Sequence, residues 1–285
     1  MGKWDAWIGR LEHRQDHVDP AHVRRWLAML DRDGLPDDRV PQGLHWCLCT
    51  PETATAGLGP DGHPLRDSSP DSFLPPVPLP RRMWASSKLE FLTPLVAGET
   101  VGRRSAVLSI SEKSGGSGHL VFVDIEHLTE GAKGPAIREV QTIVYREAAS
   151  PDAPRTPPPP CDTVFDVSDW TTHRTILPSE PMLFRYSALT FNSHRIHYDL
   201  PYARDVERYR GLVVHGPLTA TLLLDLASQE WGDNALSSFT FRGLTPAIGG
   251  ELLHLVMRAD GENVEFGAFA DDARAVMAAT AIRKI

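Results

Sequence analysis

The sequence predicts an α+β protein built from two tandem halves, each an antiparallel sheet with one long helix. Three observations carry that expectation. Leu92-Thr93-Pro94-Leu95-Val96-Ala97-Gly98-Glu99 and Leu244-Thr245-Pro246-Ala247-Ile248-Gly249-Gly250-Glu251 share the pattern L-T-P-x-x-x-G-E, 152 positions apart. Each copy follows a strand-like run, ending in Phe91 or Phe241, and precedes three candidate strands separated by turn signals. Those signals include Gly115-Gly116-Ser117-Gly118 and Asp260-Gly261. Between the copies, Pro157-Pro158-Pro159-Pro160 forces an extended, semi-rigid spacer. Agreement between the repeated string and the flanking strand order makes duplication a better reading than chance. The expected boundaries are 1–146, a linker at 147–162, and 163–285, with the two sheets pairing side by side like a dimer in one chain.

Taken in order, Asp19-Pro20 supplies a cap and a first-turn proline, and Val23, Trp26, Leu27 and Leu30 follow at helical spacing. An amphipathic helix is expected there. From Leu35 to Arg82 the chain is rich in Pro and Gly, and only Leu44 to Cys49 looks regular. A long irregular stretch in a compact domain is usually functional or draped over a surface. The final strands of the halves correspond loosely, Arg138 to Arg146 and Arg274 to Arg283.

The second half holds the distinctive stretch. Phe191-Asn192-Ser193-His194-Arg195-Ile196-His197-Tyr198-Asp199 packs an amide, two imidazoles and a carboxylate together, and Gly211-Leu212-Val213-Val214-His215-Gly216-Pro217-Leu218 follows. Proline suits a first helical position. Beyond it Leu218, Leu222, Leu223, Leu224 and Leu226 are apolar on nearly every face, as in a helix wrapped by other structure. The first half is expected to keep the sheet, lend a pocket wall and give up the chemistry.

The chain has 285 residues, 23% charged and 41% hydrophobic, with net charge −8. That balance argues against general nucleic-acid binding. No apolar run suggests a signal peptide or a membrane span. Three cysteines, Cys47, Cys49 and Cys161, are too few for a disulfide framework, so the cytoplasm is the expected compartment.

His194 and His197 are spaced H-x-x-H, yet Cys47-x-Cys49 supplies no metal-like partners, so no metal is expected. His197 is instead the candidate acid/base, crowded by Asn192, Asp199 and His215. His215 has two readings, a bond to the first helical turn or a substrate contact. Gly216 either presents N–H groups to a developing oxyanion at the helix N-terminus or packs tightly against the sheet. Arg81, Arg82, Arg208 and Arg210 either meet phosphates or a carboxylate, or lie in solvent. The absence of a G-x-S-x-G elbow, a P-loop and a dinucleotide fingerprint disfavours serine hydrolases, NTPases and dinucleotide enzymes.

Phe191 to Asp199 with Val213 to Leu218 resembles the hydratase motif of MaoC-like enoyl-CoA hydratases, whose hot-dog fold cradles a long helix in a curved antiparallel sheet. That motif reads roughly S/T-G-D-x-N-P-x-H-x-D. On this chain His197 takes the histidine position, Asp199 the later acid, and Asn192 the position of the catalytic aspartate. His215-Gly216 matches the H-G pair that opens the family's helix. The whole chain is similar to the double hot-dog branch that includes itaconyl-CoA and mesaconyl-CoA hydratases and mitochondrial type-2 hydroxyacyl-thioester dehydratases. Asp61-Gly62-His63-Pro64, Phe73-Leu74-Pro75-Pro76-Val77, Pro80-Arg81-Arg82-Met83-Trp84-Ala85 and Arg185 to Asn192 carry that similarity.

The resemblance implies reversible hydration of an α,β-unsaturated acyl-CoA. Asn192 would orient a water, since an amide cannot be a base. His197 would be the acid/base, and Gly216 the oxyanion donor. Asp199, His215, Arg81, Arg82, Arg185, Arg208 and Arg210 are the candidate substrate contacts. The favoured substrate is a short branched acyl-CoA with a second carboxylate, paired by Arg81, Arg82 and Arg185. The alternatives are dehydration of linear 3-hydroxyacyl thioesters and acyl-CoA binding without turnover. No cofactor beyond the substrate's coenzyme A is expected, and no nucleic-acid or membrane partner. A homo-oligomer is allowed.

Overall fold

In a computed structural model, residues 2–35, 37–115 and 118–284 are described. The first half contains β1 (Leu11–His17), α1 (Pro20–Met29), β2 (Arg81–Phe91), β3 (Thr100–Gly115), β4 (Gly118–Gly131) and β5 (Gly134–Arg146). The second contains β6 (Thr172–Ile176), α2 (Glu180–Leu189), α3 (Gly216–Trp231), β7 (Leu236–Gly243), β8 (Leu253–Asp260), β9 (Asn263–Ala270) and β10 (Ala275–Arg283). Gly116 and Ser117, at the centre of one expected turn, lie outside the described residues.

All ten strands form one antiparallel sheet in the order β1-β3-β4-β5-β2-β7-β10-β9-β8-β6. The order is the same in each half when read outward from the β2–β7 join, where Ser87 faces Phe241 and Leu89 faces Phe239. This is the double hot-dog arrangement.

The L-T-P-x-x-x-G-E repeat is the same turn built twice. Leu92 N–H donates to Ala136 O at 2.9 Å, and Leu244 N–H to Val276 O at 2.8 Å. Gly98 N–H reaches Val18 O at 2.8 Å, and Gly250 N–H reaches Pro178 O at 2.9 Å. Both glycines have positive φ, +92° and +83°, which explains why this position of the repeat is glycine. Each turn also receives a returning segment: Val40 N–H bonds Leu95 O, and Val214 N–H bonds Ala247 O, both at 2.9 Å.

The halves diverge after those segments. Past Val214, α3 runs for 16 residues, with Leu218, Leu222 and Leu223 fully buried. Past Val40 the corresponding segment makes a short 3₁₀ turn, Leu44–Cys47, with Leu44 as deeply buried as Leu218. The expectation of a long helix in each half is therefore corrected for the first. The chain leaves helical geometry at Leu48, which is extended, and at Cys49, with φ +53°, and Pro51 then bars Thr50 from resuming it. Among the described residues, the first half keeps only the short α1, where the Asp19 side chain accepts Ala21 N–H at 2.8 Å.

Asp225 on α3 is 2% exposed and ties the halves electrostatically. Arg174 of β6 meets it at 2.8 Å, and Arg32 beyond α1 approaches at 3.6 Å. Residues 147–171 hold no helix or strand. Gly98→Ala and Gly250→Ala test the repeated turn. An added Cβ meets nothing within 4 Å at either site, so only the left-handed backbone is penalised. Each is expected to lower stability by about 1 kcal/mol, by equal amounts, in urea unfolding.

Candidate active site

The site begins where α2 stops. Phe191 closes the helix at φ +49°, a position usually taken by glycine, while Asn192 N–H donates back to Ser187 O at 2.8 Å and Phe191 N–H to Ala188 O at 3.4 Å. A bulky residue in this conformation is strained, and such strain gathers at functional sites. The Asn192 side-chain carbonyl then accepts His194 N–H at 3.0 Å, so its NH₂ group remains to donate elsewhere. Both Asn192 and His194 line the cavity described below.

His197 sits on the next short turn, Arg195–His197, and is 7% exposed. Its Nδ1 lies 2.7 Å from Val213 O. A carbonyl only accepts, so Nδ1 carries the proton and Nε2 keeps a free lone pair. Burial pushes the imidazole pKa down to about 4, with the Val213 carbonyl opposing that and His63 adding to it. The ring is thus a neutral base over the ordinary pH range.

His215 is stacked on His197, ring centres 3.5 Å apart and planes 16° from parallel. It is 1% exposed, and its Nε2 is 2.8 Å from the Ser187 hydroxyl. His215 therefore backs His197 while also lining the cavity described below. Burial, then the charges His197 and His194 would carry, lower its pKa well below normal. His194 meets His197 edge-on at 5.5 Å and is also lowered, chiefly by burial. A proton on any of these rings would repel the others.

Directly after His215, α3 starts at Gly216 with no side-chain cap. Its first internal bond is Thr219 N–H to His215 O at 3.1 Å, so Gly216 N–H has no helical partner. Gly216 lines the cavity, and a Cβ there would meet nothing closer than Trp84 O at 3.9 Å. Tight packing is not what requires glycine at this position.

The cavity holds about 1580 Å³ and is lined both by strands of the first half and by the start of α3. Its far wall, on the first-half sheet, sets a polar group around Glu139 among apolar side chains such as Phe122, Ile137 and Ile143. Glu139 is 4% exposed and accepts from Ser87 Oγ at 2.5 Å and Trp46 Nε1 at 3.2 Å. Burial opposes its charge, but His45, His127 and Ser87 outweigh it and hold the carboxyl below its usual range. His127 and Gln141 continue that wall, joined at 3.3 Å.

The first half also reaches the histidines directly. Arg195 N–H donates to Asp61 O at 2.9 Å, and Ser193 Oγ to Gly62 O at 2.6 Å. A Cβ on Gly62 would fall 1.9 Å from Ser193 O, so only glycine permits this docking. Asp61 Oδ2 holds His63 Nδ1 at 3.1 Å, and the His63 ring lies 4.0 Å from His194.

Several expected contacts belong elsewhere. Asp199 does not line the cavity; it pairs with Arg195 at 2.7 Å and caps Tyr202 N–H at 3.0 Å. Arg185 is exposed on α2, away from the cavity. Arg208 bonds Ala153 O, and Arg210 bonds Pro158 O and Glu251, so both fasten the proline-rich segment. Arg81 lines the cavity but is neutralised by Glu207 at 2.5 Å. Arg82 lines it too.

Asp61, His63 and His194 place one ligand atom each within 4.8 Å of one another, as a metal site would. Both Asp61 oxygens are already taken by His63, through its N–H and Nδ1, and the charge of Arg82 bears on the group. These features disfavour a cation. Sequence reasoning missed Asp61, His63 and Glu139 as parts of the site. The D-G-H-P string was the available signal for the first two; Glu139 had none.

No helix among the described residues is long and apolar enough to cross a membrane. The profile of the family "Hydroxyacyl-thioester dehydratase type 2" matches residues 43–249. Mesaconyl-C(4)-CoA hydratase of Chloroflexus aurantiacus is 38% identical over 97% of this chain and 96% of its own. The mitochondrial hydroxyacyl-thioester dehydratase type 2 of Schizosaccharomyces pombe is 37% identical over 30% of this chain and 29% of its own. Among solved structures, a MaoC-like dehydratase superposes with TM-score 0.72 at 16% identity, each chain covered to 99%. A Mycobacterium tuberculosis protein described as having a double hot-dog fold superposes at 0.59 and 14% identity, covering 97% of this chain and 96% of its own. With its internal repeat, its ten-stranded sheet and that near full-length relative, the chain belongs to the type-2 hydroxyacyl-thioester dehydratase family of hydro-lyases.

Proposed function

We propose that the site adds water reversibly across the double bond of an α,β-unsaturated acyl-CoA, with His197 as the acid/base. The observation that carries this reading is the fixed tautomer of His197, with Nε2 free in a cavity shared with Gly216 at the start of α3. The Asn192 NH₂ group donates to the water oxygen. His197 Nε2 takes a proton from that water as its oxygen bonds the β-carbon, and the π electrons move to the thioester oxygen. Gly216 N–H holds the resulting enolate, aided by the helix N-terminus. The imidazolium then gives the proton to the α-carbon, which restores neutral His197. The reaction uses no cofactor beyond the coenzyme A of the substrate.

For the acyl group we favour a short branched dicarboxylic chain, such as mesaconyl-CoA or itaconyl-CoA. The mesaconyl-C(4)-CoA hydratase relative supports this. The cavity volume favours the alternative, dehydration of linear 3-hydroxyacyl thioesters, because it exceeds the roughly 300–1,000 Å³ of common ligand pockets. We place the reaction in the cytoplasm, on the strength of the free cysteines Cys47, Cys49 and Cys161.

His197→Ala should lower kcat at least about 100-fold with the circular dichroism spectrum unchanged; near-normal turnover would remove His197 from the chemistry. Because the neutral form is the base, kcat/KM should stay level on acidification past 6.5, the ordinary histidine value, and fall by half only near a pKa of about 4. The same depression acts on stability. The unfolded chain takes up protons below 6.5 that folded His197 refuses, so stability is full above 6.5 and declines toward 4. Rates should therefore be read immediately after each pH jump. Across straight-chain enoyl-CoAs of increasing length, loss of conjugated absorbance should slow with length; rates that climb with length would establish the linear-chain alternative.

A further inference from the structure

Six arginines line the cavity: Arg14, Arg66, Arg81, Arg82, Arg103 and Arg146. Four are committed. Arg14 pairs with Glu12 at 2.8 Å, and Arg81 with Glu207 at 2.5 Å. Arg66 donates to Val77 O and Pro80 O, and Arg103 to Leu48 O and Cys49 O. Among the described residues, Arg82 and Arg146 have neither a hydrogen bond nor an ion pair, and Arg146 Nε is buried without a partner.

Strand register separates these two. Arg81 faces Arg146 across β2 and β5, whereas Arg82 faces Tyr145. Adjacent strand residues point to opposite faces, so Arg146 lies with the neutralised Arg81–Glu207 pair and Arg82 with the other side. There Arg66 covers the Tyr145 ring. The charge of Arg82 is felt by Asp61, His63 and His194, the cluster that adjoins His197. No carboxylate lies within ion-pair distance of it among the described residues, so an unpaired cation stands near the reacting groups.

We infer that Arg82 selects the acyl group by pairing its guanidinium with a second carboxylate carried close to the reacting double bond. The inference rests on the acyl-CoA reading proposed above. In a dicarboxylic acyl group with a four-carbon main chain, the second carboxylate is separated from the reacting carbons by one or two bonds. Its partner must therefore stand in the wall of the same cavity close to the histidine cluster, as Arg82 does through Asp61, His63 and His194. The phosphates of coenzyme A are anions too, but they lie at the far end of the pantetheine arm. A planar guanidinium also matches a carboxylate with two parallel N–H donors.

Binding of succinyl-CoA and butyryl-CoA separates the two anion sources, since these differ only in the terminal carboxylate. Calorimetry on the whole protein should show Arg82→Gln weakening succinyl-CoA about 30-fold and butyryl-CoA by less than about 3-fold. Arg82→Lys, which keeps the charge but loses the fork, should fall between wild type and Arg82→Gln for succinyl-CoA. Equal weakening of both ligands would assign Arg82 to coenzyme A and overturn the inference, as would no weakening of either. A matching near-UV circular dichroism spectrum certifies the fold of each variant. Loss of the proposed activity would appear separately, as failure of the wild-type protein to consume any enoyl-CoA while the two binding ratios still answer for Arg82.

Discussion

The hydrogen bond between His197 Nδ1 and the Val213 carbonyl is the contact on which the site depends. An imidazole free to choose its tautomer would present a proton or a lone pair to the cavity with comparable ease. Here a backbone acceptor decides the matter and turns Nε2 inward as a base. Val213 is in turn held by its bridge to Ile248, inside the second L-T-P-x-x-x-G-E turn. A motif that reads as a structural repeat thus sets the protonation state of a catalytic candidate. The stack on His215 and the edge contact with His194 complete the restraint, and burial keeps all three rings uncharged.

The two halves use one scaffold for opposite ends. Both build the same five strands and the same turn, and both feed a returning segment into it at Val40 or Val214. In the second half that segment launches α3, whose buried leucines fill the curve of the sheet. In the first it stops after one turn, and the sheet curves around open space. A single chain can therefore hold a packed core and a large cavity side by side. The helix start supplies free N–H donors at the border between the two.

Charge is distributed with the same division. Asp225, buried on α3, is held by arginines from both halves and stabilises the join. Breaking one partner of such a buried group would leave an uncompensated charge, so it fixes the packing without taking part in chemistry. In the cavity, Glu139 and Arg81 are each satisfied by protein groups, and the imidazole cluster is neutral. Arg82 stands out against that background.

Much of this was legible in the residues. The repeat, the cap at Asp19-Pro20, the helix start at Gly216-Pro217, the wrapped helix and the prominence of His197 follow from local patterns, because turn geometry, helix periodicity and capping act over a few residues. The aborted first-half helix was readable only in part, since Leu44 starts like a helix and the break at Leu48 and Cys49 carries no proline or glycine to announce it. The fate of the arginines was not. Whether Arg81, Arg82, Arg208 or Arg210 stays free depends on Glu207, Ala153, Pro158 and Glu251, which the fold brings up from distant positions. Asp61 and His63 enter the site from 131 positions away along the contact between Gly62 and Ser193. Local sequence sets backbone preference, but partnership between charges is a matter of distance in space, and only the closed sheet decides which of them meet.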